Sequence, residues 1–288
     1  ISLPSKCADV IIGDLDVLCQ APAKMMASGL GDMLAKYVSI CEWRIANLIT
    51  GEYYCEDIAQ LVREALKKCA DNAAGLLKGD KEAVKAVFEG LVIGGVAMAY
   101  AGVSRPASGV EHYFSHVWDM RGVEFGIPVE FHGIQCAMAT YHAVKLYELV
   151  KKQKPDYEKA SAYVAAFDQS AWEQTLRQFL GKGAEAMIAL EKKEGKYRKD
   201  THPARFNIIA ENWDRILQIM DEELPSSAEI AKLLDTIGIS KDLSAICVDP
   251  DCDRSNFKAT KDIRDKYVLS RLAWDLGIID ELAESISV

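Results

Sequence analysis

Residues 108–136 hold three of the five histidines in the chain, His112, His116 and His132. His112 lies at the start of a predicted helix, and His132 lies directly before Gly133, where the next helix is expected to begin. Two helix starts can direct both imidazole rings into one cavity, and imidazole is the commonest protein ligand for a metal such as zinc. The simpler alternative is that one is a packed core histidine and the other a loop histidine.

A carboxylate far upstream could complete a set of ligands. Asp32 lies in the pattern Gly-Asp-x-x-x-Lys, from Gly31 to Lys36. Taken alone, Asp32 and Lys36 could be a surface ion pair one turn apart, contributing only ~0.2–0.5 kcal/mol. The flanking residues are mostly apolar, however, and a carboxylate in such surroundings needs a cation or hydrogen bonds to stay charged. One Asp and two His resemble the three-ligand set of catalytic zinc sites, which leave one position for water or substrate.

The hydrophobic pattern predicts an all-α protein, a multi-helix bundle of roughly ten helices with a short N-terminal β lead-in. We expect residues 1–20 to be a strand remnant, because ADVIIGDLDVL is rich in β-branched residues, and residues 21–288 to be a helical metal-binding domain. A helix beginning at Ala21-Pro22 should break at Gly29-Leu30-Gly31. Strands do not alternate with helices, so no parallel sheet is predicted.

Composition restricts the partners and the compartment. The net charge of −9 argues against nucleic acid, which needs a basic face. The eight cysteines are scattered through helical patterns, which favours a reducing, cytoplasmic location, and the close pair Cys247 and Cys252 lacks the second pair that a zinc site would need. The apolar run Phe88–Val103 is shorter than the ~20 residues of a membrane span and predicts a central buried helix.

Four segments, in order along the chain, resemble one enzyme family. They are residues 21–45 (APAKMMASGLGDMLAKYVSICEWRI), residues 108–120 (SGVEHYFSHVWDM), the pair His132-Gly133, and residues 264–283 (RDKYVLSRLAWDLGIIDELA). Together they resemble the iron- or zinc-containing polyol dehydrogenases of the dehydroquinate synthase-like superfamily, and within it the sn-glycerol-1-phosphate dehydrogenase branch. The segments spread over nearly the whole chain, which makes the combination more specific than any one of them.

The resemblance implies one divalent metal, most simply zinc, with nickel or iron as alternatives. The family's three ligands fall on Asp32, His112 and His132. Glu111 and Ser108 would then orient those ligands without binding the metal themselves. The resemblance also implies reduction of dihydroxyacetone phosphate with NAD(P), a small phosphorylated ketone or polyol being the partner.

Three further residues are candidates from their position and charge. His116, one turn after His112, could relay a proton or bind substrate, or could equally be a packed residue that supports the ligands. Lys36 is a candidate for catalysis, and Lys36 and Arg121 are candidates for binding the substrate phosphate, which needs cationic partners. The family binds its nicotinamide through a glycine-rich turn after a strand, whereas Gly94-Gly95 here lies inside an apolar helix pattern. The residues that bind the cofactor therefore stay unknown.

The chain thus resembles the metal- and substrate-binding half of such an enzyme. It opens without Met, so we expect it to be a piece of a longer protein, inactive alone. It should self-associate through the lead-in strand or the exposed cleft wall, without nucleic-acid or membrane partners. Two alternatives stay open: another member of the superfamily, such as a glycerol dehydrogenase or a lyase, and a non-catalytic helical metal-binding module.

Overall fold

The structure, a computed structural model, describes residues 7–249 and 252–286. Within these residues it contains seventeen α-helices, two 3₁₀ helices and no β-strand, so the predicted all-α bundle is confirmed. In chain order the α-helices are α1 (Leu15–Leu18), α2 (Ala23–Leu34), α3 (Lys36–Thr50), α4 (Glu56–Asp71), α5 (Ala73–Leu76), α6 (Lys81–Ala101), α7 (Val110–Phe125), α8 (His132–Val150), α9 (Tyr157–Ala166), α10 (Gln169–Leu180), α11 (Ala184–Glu194), α12 (His202–Glu211), α13 (Trp213–Glu223), α14 (Ser227–Thr236), α15 (Asp253–Thr260), α16 (Leu269–Asp275) and α17 (Ile279–Ile286). The 3₁₀ helices are Gly181–Gly183 and Leu243–Ile246.

The β lead-in expected in residues 1–20 does not form in its described part. Residues 7–14 have no helix or strand, and Asp14 then caps the single turn of α1 by accepting hydrogen bonds from two backbone N–H groups. A strand needs a neighbour to pair its N–H and C=O groups, and the described residues supply none. Residues 1–6 lie outside the described part, and the domain boundary at residue 20 stays a prediction.

α8 is the central helix of the bundle and packs against α2, α7 and α14. It is buried on most of its sides, and its buried positions include small residues such as Ala137 and Ala143, which let neighbouring helices approach. Larger side chains such as Leu146 and Val150 fill the space towards its C-terminal end, and each contributes about 1.5–3 kcal/mol when fully buried. The N-terminal residue of this helix is His132.

The break expected at Gly29-Leu30-Gly31 is wrong, because α2 continues through both glycines and ends at Leu34. The glycines serve packing between helices. A Cβ atom at Gly31 would lie 2.2 Å from the carbonyl oxygen of Gly133, so the backbones of α2 and α8 touch at this crossing. The chain turns one residue later, at Ala35, before α3.

The apolar helix α6 is less central than the sequence predicts. One face packs closely on α4, where Gly90 lies against Cys69. The opposite face carries exposed apolar side chains, including Val96 and Tyr100, of which Tyr100 is 73% exposed. Length and composition alone would let this helix cross a membrane, although 39% of its most apolar window is buried and core helices of soluble proteins meet the same criterion.

A buried carboxyl group, that of Glu42, connects α7 to three other helices. Glu42 on α3 accepts hydrogen bonds from the backbone N–H groups of Val110 (2.8 Å) and Leu269 (2.8 Å) and from the Tyr147 hydroxyl (3.0 Å). Val110 and Leu269 begin α7 and α16, so Glu42 satisfies N–H groups that the first turn of each helix leaves unpaired. This network fixes the start of α7, where His112 lies.

Candidate metal centre

The crossing of α2 and α8 brings two predicted ligands together. A Cβ atom at Gly133 would lie 1.8 Å from the carbonyl oxygen of Ser28, and Gly31 makes the reciprocal contact. Asp32 directly follows Gly31, and His132 directly precedes Gly133. As a result, His132 Nε2 lies 3.8 Å from Asp32 Oδ1, although the residues are a hundred positions apart in sequence.

The third predicted ligand reaches the same point from the first turn of α7. His112 Nε2 lies 3.3 Å from Asp32 Oδ1, and the ring centroids of His112 and His132 are 5.0 Å apart. On its other side, His112 Nδ1 lies 2.8 Å from Glu111 Oε1, which also accepts the Gly109 N–H at 2.7 Å. The Glu111 carboxylate fixes a proton on His112 Nδ1 and directs Nε2 towards Asp32, the orientation of metal-binding histidines. Burial would lower the pKa of His112, but Cys136, Asp32 and Glu111 outweigh it and raise the pKa well above its usual range, so Nε2 also carries a proton, which a bound metal would replace.

His132 is oriented in the same way by a chain of polar side chains. Its Nδ1 lies 2.9 Å from Ser115 Oγ, which donates to Gln135 Oε1 at 2.5 Å, and Gln135 Nε2 donates to Asp119 Oδ1 at 3.1 Å. Because the Ser115 hydroxyl gives its proton to Gln135, it accepts one from His132 Nδ1. His132 Nε2 then faces Asp32.

Lys36 holds the carboxylate of Asp32. Its ammonium donates to Asp32 Oδ2 (2.9 Å), to the Asp32 carbonyl (2.9 Å) and to the Ala107 carbonyl (3.2 Å). Three acceptors occupy all three N–H groups of a side chain that is only 3% exposed, so Lys36 is a positioning residue and does not offer a donor to a phosphate. Burial would raise the pKa of Asp32, but Lys36 and His112 outweigh it and hold the pKa well below its usual range.

A fourth donor lies at the same point and was not predicted. Cys136 Sγ is 3.5 Å from His132 Nε2, and one donor atom each from Asp32, His112, His132 and Cys136 all lie within 4.8 Å of one another. Burial would raise the pKa of the Cys136 thiol, but His112 and His132 outweigh it and lower the pKa. The signal in the sequence was its position four residues after His132, one turn along the same helix face.

The ligand cluster opens into a cavity of about 330 Å³. His116, Ser108 and Arg264 line it together with Asp32 and His112. Burial, followed by the positive charge of His112, lowers the pKa of His116 to about 4, so this imidazole is neutral at pH 7. Sequence reasoning missed Arg264, although it begins the last of the four resembling segments.

Two residues predicted to support the ligands lie beside them. Glu111 is fully buried and its Oε1 bonds His112 Nδ1, whereas its second oxygen, Oε2, has no hydrogen-bond partner among the described residues. Ser108 lines the cavity, and its carbonyl accepts a hydrogen bond from Lys266 Nζ at 2.9 Å.

The structure does not bring Arg121 to this cavity. It lies nine residues after His112, two and a half helical turns, and therefore on the opposite side of α7. Its Nη1 donates to the Phe179 carbonyl at 2.5 Å, and its guanidinium lies 4.2 Å from the Phe179 ring centroid. Arg121 therefore does not line the cavity, and its position does not support the phosphate-binding role predicted for it.

The donor set suits a divalent metal of borderline softness. It combines two imidazoles, one carboxylate held ionised by Lys36, and one thiol. Zinc is bound by these groups at about 2.0–2.3 Å, which places neighbouring ligand atoms of a tetrahedron about 3.3–3.6 Å apart. The separations of 3.3 Å (His112 to Asp32) and 3.5 Å (His132 to Cys136) lie in that range, whereas 3.8 Å (His132 to Asp32) exceeds it slightly.

Comparison with known proteins supports the enzyme family that the four segments resemble. No family model matches the chain. Curated relatives do, among them the glycerol-1-phosphate dehydrogenases [NAD(P)+] of Geobacillus thermodenitrificans (33% identical, over 57% of this chain and 40% of the relative), Hyperthermus butylicus (39% identical, 48% and 38%) and Halalkalibacterium halodurans (27% identical, 79% and 47%). The matches span less than half the length of each of these relatives. The resemblance stated from the four segments is confirmed: over part of their length, the chain is similar to glycerol-1-phosphate dehydrogenases.

Proposed function

We propose that this chain is the metal- and substrate-binding part of a cytoplasmic, NAD(P)-linked glycerol-1-phosphate dehydrogenase that reduces dihydroxyacetone phosphate. The observation that carries the proposal is the convergence of Asp32, His112 and His132 beside a cavity that Asp32 and His112 line, in a chain whose curated relatives bear that name. All eight cysteines are free thiols, in keeping with a reducing compartment.

Asp32, His112 and His132 would hold one divalent ion, zinc in the simplest case, with nickel or iron as alternatives. A metal at this position supplies Lewis-acid polarisation of a carbonyl oxygen. The protein residues contribute orientation. Glu111 orients His112, Ser115 orients His132, and Lys36 holds the carboxylate of Asp32.

Neutral His116 faces the same cavity from α7, one turn after His112. An uncharged imidazole within the cavity can hydrogen-bond a substrate hydroxyl or exchange a proton with it. Arg264 lines the cavity as well, and a guanidinium is the side chain best suited to bind a phosphate through paired hydrogen bonds. We assign the substrate phosphate to Arg264 in place of Arg121.

The nicotinamide would be bound elsewhere. Among residues 7–249 and 252–286 there is no strand, hence no turn between a strand and a helix of the kind that binds dinucleotide phosphates. The chain by itself should therefore show no turnover with NADH or NADPH and dihydroxyacetone phosphate. Clear activity of the isolated chain would contradict this part of the proposal.

Ligand binding to the metal-loaded chain tests the substrate. Calorimetry should detect dihydroxyacetone phosphate and glycerol 1-phosphate, and glycerol much more weakly. Arg264→Gln should weaken binding of the phosphorylated ligands at least about tenfold, because a charge-assisted hydrogen bond is lost. Arg121→Gln, the matched control outside the cavity, should leave binding unchanged. Equal affinity for glycerol would favour a glycerol dehydrogenase, and no binding of any polyol would favour a non-catalytic module.

Self-association of the chain stays a prediction. Self-association could occur through the exposed apolar face of α6, which includes Val96, together with the neighbouring segment that contains Ile11. Sedimentation of the chain at micromolar concentrations, with and without residues 1–19, tests it. A strictly monomeric chain would contradict the prediction.

A further inference from the structure

We propose that the thiolate of Cys136 is a fourth ligand, so that the metal is enclosed by Asp32, His112, His132 and Cys136. This inference rests on the metal site of the proposed function and goes beyond its three ligands. It changes the expected resting state of the centre from one with an open position to one that the protein itself fills.

The geometry of α8 carries the inference. Cys136 follows His132 by one helical turn, so both side chains lie on the face that meets α2 and α7. Its sulfur is 3.5 Å from His132 Nε2, close to the separation of about 3.6 Å expected for two ligands of one tetrahedral zinc ion. The residue is fully buried and directed towards the two imidazoles and the carboxylate.

The other buried cysteines provide the contrast. Cys69 Sγ donates to the Ala86 carbonyl at 3.2 Å and behaves as an ordinary buried thiol. Cys41 is fully buried on α3 and is not part of the ligand cluster found among the described residues. Burial raises the pKa of the Cys41 thiol well above its usual range. Cys136 therefore differs from these cysteines in its surroundings and not in its burial.

A thiolate ligand has two consequences for the centre. Soft thiolate favours zinc over harder divalent ions, which narrows the choice of metal. Two anionic ligands also neutralise the charge of the ion, and a substrate oxygen could then bind only if the thiolate leaves or the coordination number rises to five. Cys136 would thus regulate access of the substrate to the centre.

Cobalt is the probe, because Co²⁺ can replace zinc and reports its ligands by absorption. Wild-type chain loaded with Co²⁺ should show a near-ultraviolet sulfur-to-cobalt charge-transfer band. Cys136→Ala should lose this band, keep visible absorption of bound cobalt, and bind the ion at least about tenfold more weakly. Cys41→Ala, an equally buried cysteine, should keep both the band and the affinity.

The outcomes separate this inference from the metal site itself. If wild type lacks the charge-transfer band while Asp32→Asn abolishes the visible cobalt absorption, the three-ligand site stands and the inference fails. A band that persists in Cys136→Ala also overturns the inference. If wild type binds no cobalt at all, both the metal site and the fourth ligand are refuted.

Discussion

Substitution of Gly133 by alanine tests how the fold assembles the centre. The new Cβ atom would lie 1.8 Å from the Ser28 carbonyl oxygen, whereas real Cβ contacts essentially never fall below 3.0 Å. The backbones of α2 and α8 must therefore separate by at least the difference, 1.2 Å. Overpacking of this kind costs about 1–3 kcal/mol, or about 2–12 °C in melting temperature for a domain of this size.

We expect Gly133→Ala to reduce metal affinity more strongly than it reduces the stability of the fold. A metal site tolerates displacements of only about 0.2 Å in its ligand distances, and Asp32 and His132 lie on opposite sides of the crossing. We expect Gly133→Ala to remain folded by circular dichroism and to lose metal in a chelator competition assay.

Gly95→Ala is the matched control, because a Cβ atom there meets nothing within 4 Å. It should leave metal affinity unchanged and the melting temperature equal or slightly raised, since alanine favours a helix over glycine by about 1 kcal/mol. The reasoning is refuted if Gly133→Ala binds metal as tightly as wild type and has the same melting temperature as the Gly95→Ala control.

Three further predictions concern the supporting residues. Ser115→Ala removes the partner of His132 Nδ1 and should weaken metal binding about 10–100-fold, measured by chelator competition. Glu223→Ala leaves two arginines without the carboxylate that joins α13 to α3 and α4, and should cost roughly 1.5–3 kcal/mol in urea unfolding. Burial, followed by the charge of Glu111, raises the pKa of Glu42 to about 8, so its contribution to stability is full below the unfolded value of 4.5 and lost by about pH 8. Urea unfolding of metal-free protein should show that loss, and Glu111→Gln should reduce it; an unchanged pH dependence would contradict the assignment.

The three candidate ligands lie close together in the structure, and the sequence identifies them because the resembling segments mark them. The sequence does not show why they meet. The glycines beside Asp32 and His132 permit a backbone contact between α2 and α8, and a glycine in one helix does not reveal which backbone will approach it. The same ambiguity produced the wrong helix break at residues 29–31, because only the packing partner distinguishes a glycine that ends a helix from one that packs.

Other errors followed from treating helices without their neighbours. The apolar pattern of α6 predicts burial on all sides, yet the fold covers one face and leaves Tyr100 exposed. Arg121 was proposed for its charge, although its spacing from His112 already places it on the other side of α7. The same helical spacing could have identified two residues that were missed. Cys136 lies four residues after His132, and Ser115 lies three residues after His112, so each lies on the same helix face as a predicted ligand.

The central claim is that one metal binds where Asp32, His112 and His132 meet. Diffraction from crystals of the zinc-loaded chain, recorded on both sides of the zinc absorption edge, locates the metal directly. We predict one strong anomalous peak per chain within bonding distance of Asp32 Oδ1, His112 Nε2 and His132 Nε2. No peak at this point, or a peak held only by residues elsewhere such as Cys247, would contradict the account.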